Sequence, residues 1–193
     1  YKEDISKCYS NTMSKNEEKH LFELIDVWTI VSEKEEIRWS VCAGSYIGLK
    51  RDGGRILWDD DFDITIMKED LNKLKNVKDK LNEYNVSIWE WEKGYKIFFT
   101  DDRGINYTPK KEYTWPFVDI FTLDEDKECA YINQNEGPLN KVKFGNTEVY
   151  VYENPNKSRN SVGNTSWKDE LYDKGWRHQT DEMIKTECSS KKK

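Results

Sequence analysis

Leu21, Leu24, Ile25, Trp28 and Val31 recur at helical spacing. Residues 16 to 34 are therefore expected to form an amphipathic helix with one apolar stripe turned to a core. Arg38-Trp39-Ser40-Val41-Cys42-Ala43 reads as a strand that stops at Gly44-Ser45. That turn opens a short helix running to Lys50 or Arg51, and Asp52-Gly53-Gly54 breaks it. A strand through Ile64-Thr65-Ile66-Met67 follows. Leu71, Leu74, Val77, Leu81 and Tyr84 then mark a second helix begun between Lys68 and Asp70. Further strands are expected around Val86 to Trp91, Tyr95 to Thr100, Trp115 to Thr122 and Thr147 to Tyr152. Pro155 to Thr165 reads as a polar loop, Ser166 to Tyr172 as a last helix, and Ser189 to Lys193 as a tail. With no internal repeat or linker, the pattern predicts one α/β (α+β) domain over residues 1–188, its helices packed on a small mixed sheet.

Composition narrows the class. The chain has 193 residues, enough for one domain with a core. Only 36 % are hydrophobic, but 13 % are aromatic with eight Trp, so large rings carry much of the burial. A net charge of −6 disfavours a phosphate backbone as main partner, which argues against nucleic acid. No apolar stretch reaches membrane-span length, and Tyr1-Lys2-Glu3-Asp4 is no signal peptide. The chain does not begin with Met, so a removed anchor or signal stays open, as does the choice between cytoplasm and secretory lumen. Cys8, Cys42, Cys129 and Cys188 show no metal-ligand spacing. Cys42, in an apolar strand, is expected to be a buried thiol, and Cys8 with Cys188 is the pairing the chain ends suggest. Sequons begin at Asn85, Asn106, Asn156 and Asn164.

Candidate chemistry concentrates in Trp58-Asp59-Asp60-Asp61-Phe62-Asp63-Ile64, where bulky apolar residues flank four carboxylates. A solvated acidic run lacks such neighbours. In an extended segment Asp61 and Asp63 project together while Phe62 and Ile64 face the other way. Two carboxylates on one half-buried face repel unless a cation or proton lies between them. A calcium-binding EF-hand loop counted from Asp59 would need Gly at Ile64 and Glu at Asp70, so that reading fails. Asp119 lies in the apolar strand Trp115-Pro116-Phe117-Val118-Asp119-Ile120-Phe121 and needs a cation or several donors if buried. Were its strand beside that of Asp61 and Asp63, the three oxygens would suit Mg²⁺ or Mn²⁺. The Gly44-Ser45 turn at a helix N-terminus would offer backbone N–H groups to a phosphate, with Lys50 and Arg51 just beyond.

Gly44-Ser45-Tyr46-Ile47-Gly48-Leu49-Lys50-Arg51, the Gly53-Gly54 turn, and Ile56 through Ile64 with its Trp-Asp-Asp-Asp-Phe-Asp core resemble the signature of the LicD/fukutin-related family. Val118-Asp119-Ile120-Phe121 resembles that family's downstream strand. The likeness is strong over residues 20 to 70 and thinner to about 122. Ser45 stands for the usual Thr, Leu57 for Pro, and Asp52 where His is frequent.

The resemblance implies a nucleotidyltransferase (polymerase-β-like) fold and transfer of a phospho-alcohol, such as phosphocholine or ribitol phosphate, from a CDP-activated donor to a glycan. It implies Asp61, Asp63 and Asp119 as catalytic ligands of one or two Mg²⁺ (or Mn²⁺) ions. Gly44 and Ser45 would cradle phosphate, Arg51 and Lys50 would neutralise the leaving CMP, and Trp58 and Asp60 would border the donor. Asp119 or Asp60 would take the acceptor's proton. Trp89, Trp91, Trp115, Trp167 and Trp176 are candidate stacking surfaces or core rings, and Arg177-His178 a candidate phosphate contact or an inert pair. A sugar-nucleotide glycosyltransferase with an Asp-x-Asp site, and a catalytically idle carbohydrate- or nucleotide-binding module, are the alternatives.

Overall fold

The computed structural model describes residues 12–106, 111–122, 129, 138–152, 174–178 and 182–185. The first helix, α1 (Lys15–Lys34), begins at a capping box: Ser14 Oγ accepts from the Glu17 N–H, and the Ser14 N–H donates to Glu17 Oε2. Its buried stripe of Leu21, Leu24, Ile25, Trp28 and Val31 is the one the spacing predicts, joined by Val27. The helix packs against the strands Phe117–Phe121 and Thr147–Tyr152.

Five strands form the main sheet in the order β1-β2-β5-β4-β3: β1 Trp39–Val41, β2 Phe62–Ile66, β5 Phe117–Phe121, β4 Gly94–Phe99 and β3 Val86–Trp91. Only β2 and β5 run parallel; the other neighbours are antiparallel, so the sheet is mixed. Between β1 and β2 lies helix α2 (Ala43–Arg51), as the Gly-Ser turn foretold. Residues 71–84, expected as one helix, instead form a 3₁₀ stretch (Lys68–Asn76) followed by a short helix α3 (Val77–Asn82). Asp70 explains the tighter start. Its buried carboxylate accepts from the Arg38 backbone N–H and guanidinium and pairs with Lys73, which fastens the segment to the edge of β1.

A hairpin of β6 (Leu139–Phe144) and β7 (Thr147–Tyr152) lies beside β1. The sequence suggested β7 but not β6, whose Asn140, Lys141 and Lys143 hide the apolar alternation. Phe144 closes the core by meeting Phe62 and Phe22 edge-on at 5.2 and 6.3 Å. A second hairpin, β8 (Lys174–Arg177) with β9 (Glu182–Lys185), was also not anticipated. The loop expected at 155–165, the helix at 166–172, the tail and the Cys8–Cys188 pair lie outside the described residues. No helix among the described residues is long and apolar enough to cross a membrane.

Cys42 is not a thiol. It is bonded to Cys129, with 5.4 Å between the Cα atoms, and both residues are buried against Ala43 and Phe121. A partner 87 positions away cannot be read from spacing alone.

Candidate active site

The parallel pairing of β2 with β5 sets Asp63 directly opposite Asp119, and the antiparallel pairing of β4 with β5 sets Lys96 opposite Asp119. Residues in register share a face, so Asp63, Asp119 and Lys96 form a polar row across three adjacent strands. Asp61, one residue before β2, completes a cluster: one oxygen from each of Asp61, Asp63 and Asp119 lies within 4.8 Å of the others. The structure thus brings together the three carboxylates that the strand pattern singled out.

The turn into α2 grips this row. The Cys42 N–H donates to the Asp63 carbonyl at 3.1 Å, and Ser45 Oγ accepts the Asp63 N–H at 2.9 Å. Ala43, between them, sits at φ 43°, a left-handed conformation costing roughly 1–2 kcal/mol for a residue with a Cβ. Gly44 allows a close approach: a Cβ there would lie 2.6 Å from Asp59 Oδ2, so that carboxylate would have to move, and 3.9 Å from Asp63 Oδ2, an ordinary contact. The free N–H groups at the start of α2 therefore stand against the carboxylate cluster. Ser45 itself is 2 % exposed and is spent on holding Asp63, leaving its hydroxyl proton as its one donor.

Burial and mutual repulsion push the Asp59 and Asp63 carboxyls far above the ordinary carboxylate range, with Asp61 the main charged neighbour of each. Burial likewise raises Asp119, to about 6, with Lys96 pulling downward and Asp61 upward. Lys96 is a site residue the sequence reading missed. It is 5 % exposed, its ammonium stands 2.5 Å from Asp119 Oδ1, and it faces the rings of Phe117, Trp91 and Tyr113 at 3.8, 4.6 and 5.2 Å. The only sequence signal was a Lys inside an otherwise apolar strand, Tyr95-Lys96-Ile97-Phe98-Phe99.

A second missed residue is Arg55, whose side chain is 3 % exposed. Its Nη1 donates to the carbonyls of Ile56, Leu57 and Asp59, while Glu18 of α1 takes Nε and Nη2. One guanidinium therefore gathers the loop that delivers the aspartates and ties it to the helix.

Asp60 is fully buried and is not one of the triad. Its carboxylate accepts the His178 backbone N–H at 2.9 Å and pairs with His178 Nδ1 at 2.6 Å, and its carbonyl accepts from Trp115 Nε1. Burial alone would lower the pKa of His178, but Asp61 and Asp60 outweigh it and raise it to about 9. His178 is thus engaged with the acidic segment and is not an exposed, inert residue.

Arg51 reaches Asp52 through Nε and Nη2, stacks over Trp58 at 5.3 Å, and keeps Nη1 buried with no hydrogen-bond partner among the described residues. Lys50 is exposed and lies over the Tyr46 ring of its own helix, about two turns from Gly44. Trp115 is a core ring; Trp89 packs on Tyr113, and Trp91 on Phe121 and Lys96. Trp167 lies outside the described residues, as do the side chains of Trp176 and Arg177.

Three carboxylate oxygens within reach of one point, strained by their own charge, form a donor set suited to a hard divalent cation. Residues 36–154 match the family described as LicD/FKTN/FKRP, nucleotidyltransferase domain, the fold class expected for the mixed sheet. An uncharacterized protein of Rickettsia prowazekii (strain Madrid E) is 29 % identical over 122 residues, 63 % of this chain. The chain spans about half the length of that relative, 46 %. Two solved structures of the antibiotic-resistance factor ANT(2'')-Ia are more distantly similar. The solution structure, reported to reveal substrate-regulated conformation dynamics, has 18 % identity and a TM-score of 0.42 over 68 % of this chain and 64 % of that one. The crystal structure with adenylyl-2''-tobramycin has 16 % identity and a TM-score of 0.45 over 78 % of each chain.

Proposed function

We propose that this chain, which belongs to the LicD/FKTN/FKRP nucleotidyltransferase-domain family, moves a phospho-alcohol from a CDP-activated donor onto a glycan hydroxyl. The family is one of phospho-alcohol and nucleotidyl transferases, so transfer of a phosphorus-linked group is the reaction class. The observation that carries the reading is the convergence of Asp61, Asp63 and Asp119 beside the N-terminus of α2.

Asp61, Asp63 and Asp119 would hold Mg²⁺ or Mn²⁺. When bound, such an ion neutralises charge on the donor diphosphate and on the attacking and leaving oxygens. The backbone N–H groups at Gly44, with the Ser45 hydroxyl, would orient the donor phosphate along the helix dipole. Arg51 has a buried Nη1 without an acceptor among the described residues, and Asp52 and Trp58 fix its plane, which supports it as the cation facing the leaving CMP. Exposed Lys50 could join only by swinging off Tyr46. Trp58 and Asp60 act by support, the first beneath Arg51 and the second through His178.

Asp119 suits the proton acceptor better than Asp60. It lies in the triad where the donor phosphate would be held, whereas Asp60 is sealed and committed to His178. The acceptor O–H would give its proton to Asp119, its oxygen would form the new O–P bond, and the bond to CMP would break with the electron pair leaving on CMP.

Incubation with CDP-ribitol, CDP-choline and UDP-sugars, each with Mg²⁺ and a glycan acceptor, tests this. CMP release dependent on acceptor and ion is expected. UDP release without CMP would instead indicate a glycosyltransferase, and release of neither with any donor an idle binding module.

A further inference from the structure

The acidic segment carries a second ligand group that shares Asp61 with the triad: Asp60, Asp61 and His178, again with one ligand atom each within 4.8 Å of the others. It differs from the first in containing an imidazole whose orientation is fully fixed. The His178 backbone N–H reaches Asp60 Oδ2 at 2.9 Å, Nδ1 meets Asp60 Oδ1 at 2.6 Å, and the ring stands edge-on to Phe117 with centroids 5.1 Å apart. This leaves Nε2 as the working nitrogen, and it points at Asp61 Oδ2 across 3.4 Å. That gap is well beyond a charge-assisted hydrogen bond, normally about 2.7–2.9 Å, although the same ring makes a short contact on its other side. It does match two ligands of one metal ion: bonds of about 2.1 Å place adjacent ligand atoms roughly 3.0–3.4 Å apart in octahedral or tetrahedral geometry.

We propose that His178 Nε2 and Asp61 hold a second metal ion, of the imidazole-accepting class such as Mn²⁺ or Zn²⁺, beside the all-oxygen position of Asp61, Asp63 and Asp119. Asp60, hydrogen-bonded to Nδ1, is the outer carboxylate that orients the ligand, as metal-bound histidines usually require. Asp61 bridges the two positions. Oxygen-only ligands favour Mg²⁺ and a nitrogen ligand favours a transition ion, so the centre is asymmetric in metal preference. The inference rests on Asp61 being a metal ligand but is independent of which donor is used.

The chain has two histidines, and the other, His20, lies on α1, so a nitrogen signal from bound metal reports on His178. Metal-stripped protein is titrated with Mn²⁺, the bound ions are counted after dialysis, and pulsed electron paramagnetic resonance is used to detect directly coordinated ¹⁴N. Two ions per chain and an imidazole coupling are expected. His178→Gln should drop the count to one and abolish the coupling. Asp119→Asn should keep the coupling, and Asp60→Asn should keep it with at least about tenfold weaker binding. Far-UV circular dichroism of each variant verifies the fold. Wild-type protein with one ion and no ¹⁴N coupling, or a His178→Gln variant that keeps both, overturns the proposal. Failure of the donor reading would appear elsewhere, as absent CMP release from protein that still shows the coupling.

Discussion

Lys96 stands across the strand pair from Asp119 with its ammonium 2.5 Å from the carboxylate, both side chains less than a tenth exposed. Without a divalent ion, this lysine is the nearest positive charge to the triad among the described residues. In Lys96→Met the buried carboxylates would lose it, at a cost on the order of 3 kcal/mol, or roughly 6–12 °C in Tm for a chain of this length. Because a bound ion supplies the same charge, saturating Mn²⁺ should raise the Tm of the variant more than that of the wild type. Equal shifts in thermal melts with chelator and with metal would show that Lys96 does not serve this purpose.

Gly44→Ala separates folding from binding. The added Cβ would fall 2.6 Å from Asp59 Oδ2, the end of a side chain that can turn aside, while Ala in a helix is favoured over Gly by about 0.5–1 kcal/mol. Stability should therefore hold or rise slightly, while the affinity for Mg²⁺ or Mn²⁺ drops by about tenfold as the displaced Asp59 carboxyl disturbs its hydrogen-bonded neighbour Asp61. Urea unfolding and calorimetric metal titration on the same sample decide; unchanged affinity counts against the close approach.

Arg55→Met removes the guanidinium that collects the Ile56, Leu57 and Asp59 carbonyls and leaves Glu18 unpaired. A loss of about 3 kcal/mol is expected, with weakened metal binding because the aspartate loop loses its anchor. Glu18→Gln keeps the carbonyl contacts and should cost less than half as much. If both variants unfold at the same urea concentration, the carbonyl contacts contribute nothing.

Protons and metal compete for the same oxygens. Asp119 is raised to about 6 in the folded protein, so in metal-free protein its contribution to stability is fully present below the ordinary carboxylate pKa and is lost as pH rises through about 6. Metal affinity runs the other way. It should rise at least about tenfold per pH unit up to roughly pH 6, and the raised carboxyls of Asp59 and Asp63 act in the same direction. Isothermal titration across pH 5 to 8 would expose a flat profile if the carboxyls are not the ligands.

Beside the edge strand β1, Asp70 titrates with the reverse sign. Burial would raise its pKa, but bonds from Arg38 and Lys73 overcome that and lower it. Its contribution is present above the ordinary carboxylate pKa and is lost as pH falls through the depressed folded value. Asp70→Asn should therefore lose about 2–3 kcal/mol at pH 7 and little near pH 2. An equal loss at both pH values, from urea melts, would contradict the ionic account.

What could be read from the chain were the features set by local periodicity. The α1 stripe, the Gly-Ser turn into α2 and the Asp61/Asp63 alternation follow from 3.6- and 2-residue repeats, and Asp119 betrayed itself as a charge in an apolar strand. Lys96 carried the same signal but was not singled out. Arg55 and the pairing of His178 were illegible for another reason: the partners, Glu18 and Asp60, lie 37 and 118 residues away. The Cys42–Cys129 bond was hidden likewise. The 3₁₀ stretch escaped because Leu71 and Leu74 suit both helix types, and Asp70's ties to Arg38 decide between them.

That bond has a topological result. Residues 42 and 129 close the backbone into a covalent loop, and Asp59, Asp60, Asp61, Asp63, Lys96 and Asp119 all fall on its circumference. A protease cutting once within the loop would leave a nicked ring, with every carboxylate still joined to every other through peptide or sulfur links. A thiol reductant would turn the same nick into two separable fragments, Asp63 on one and Asp119 on the other if the cut falls between them.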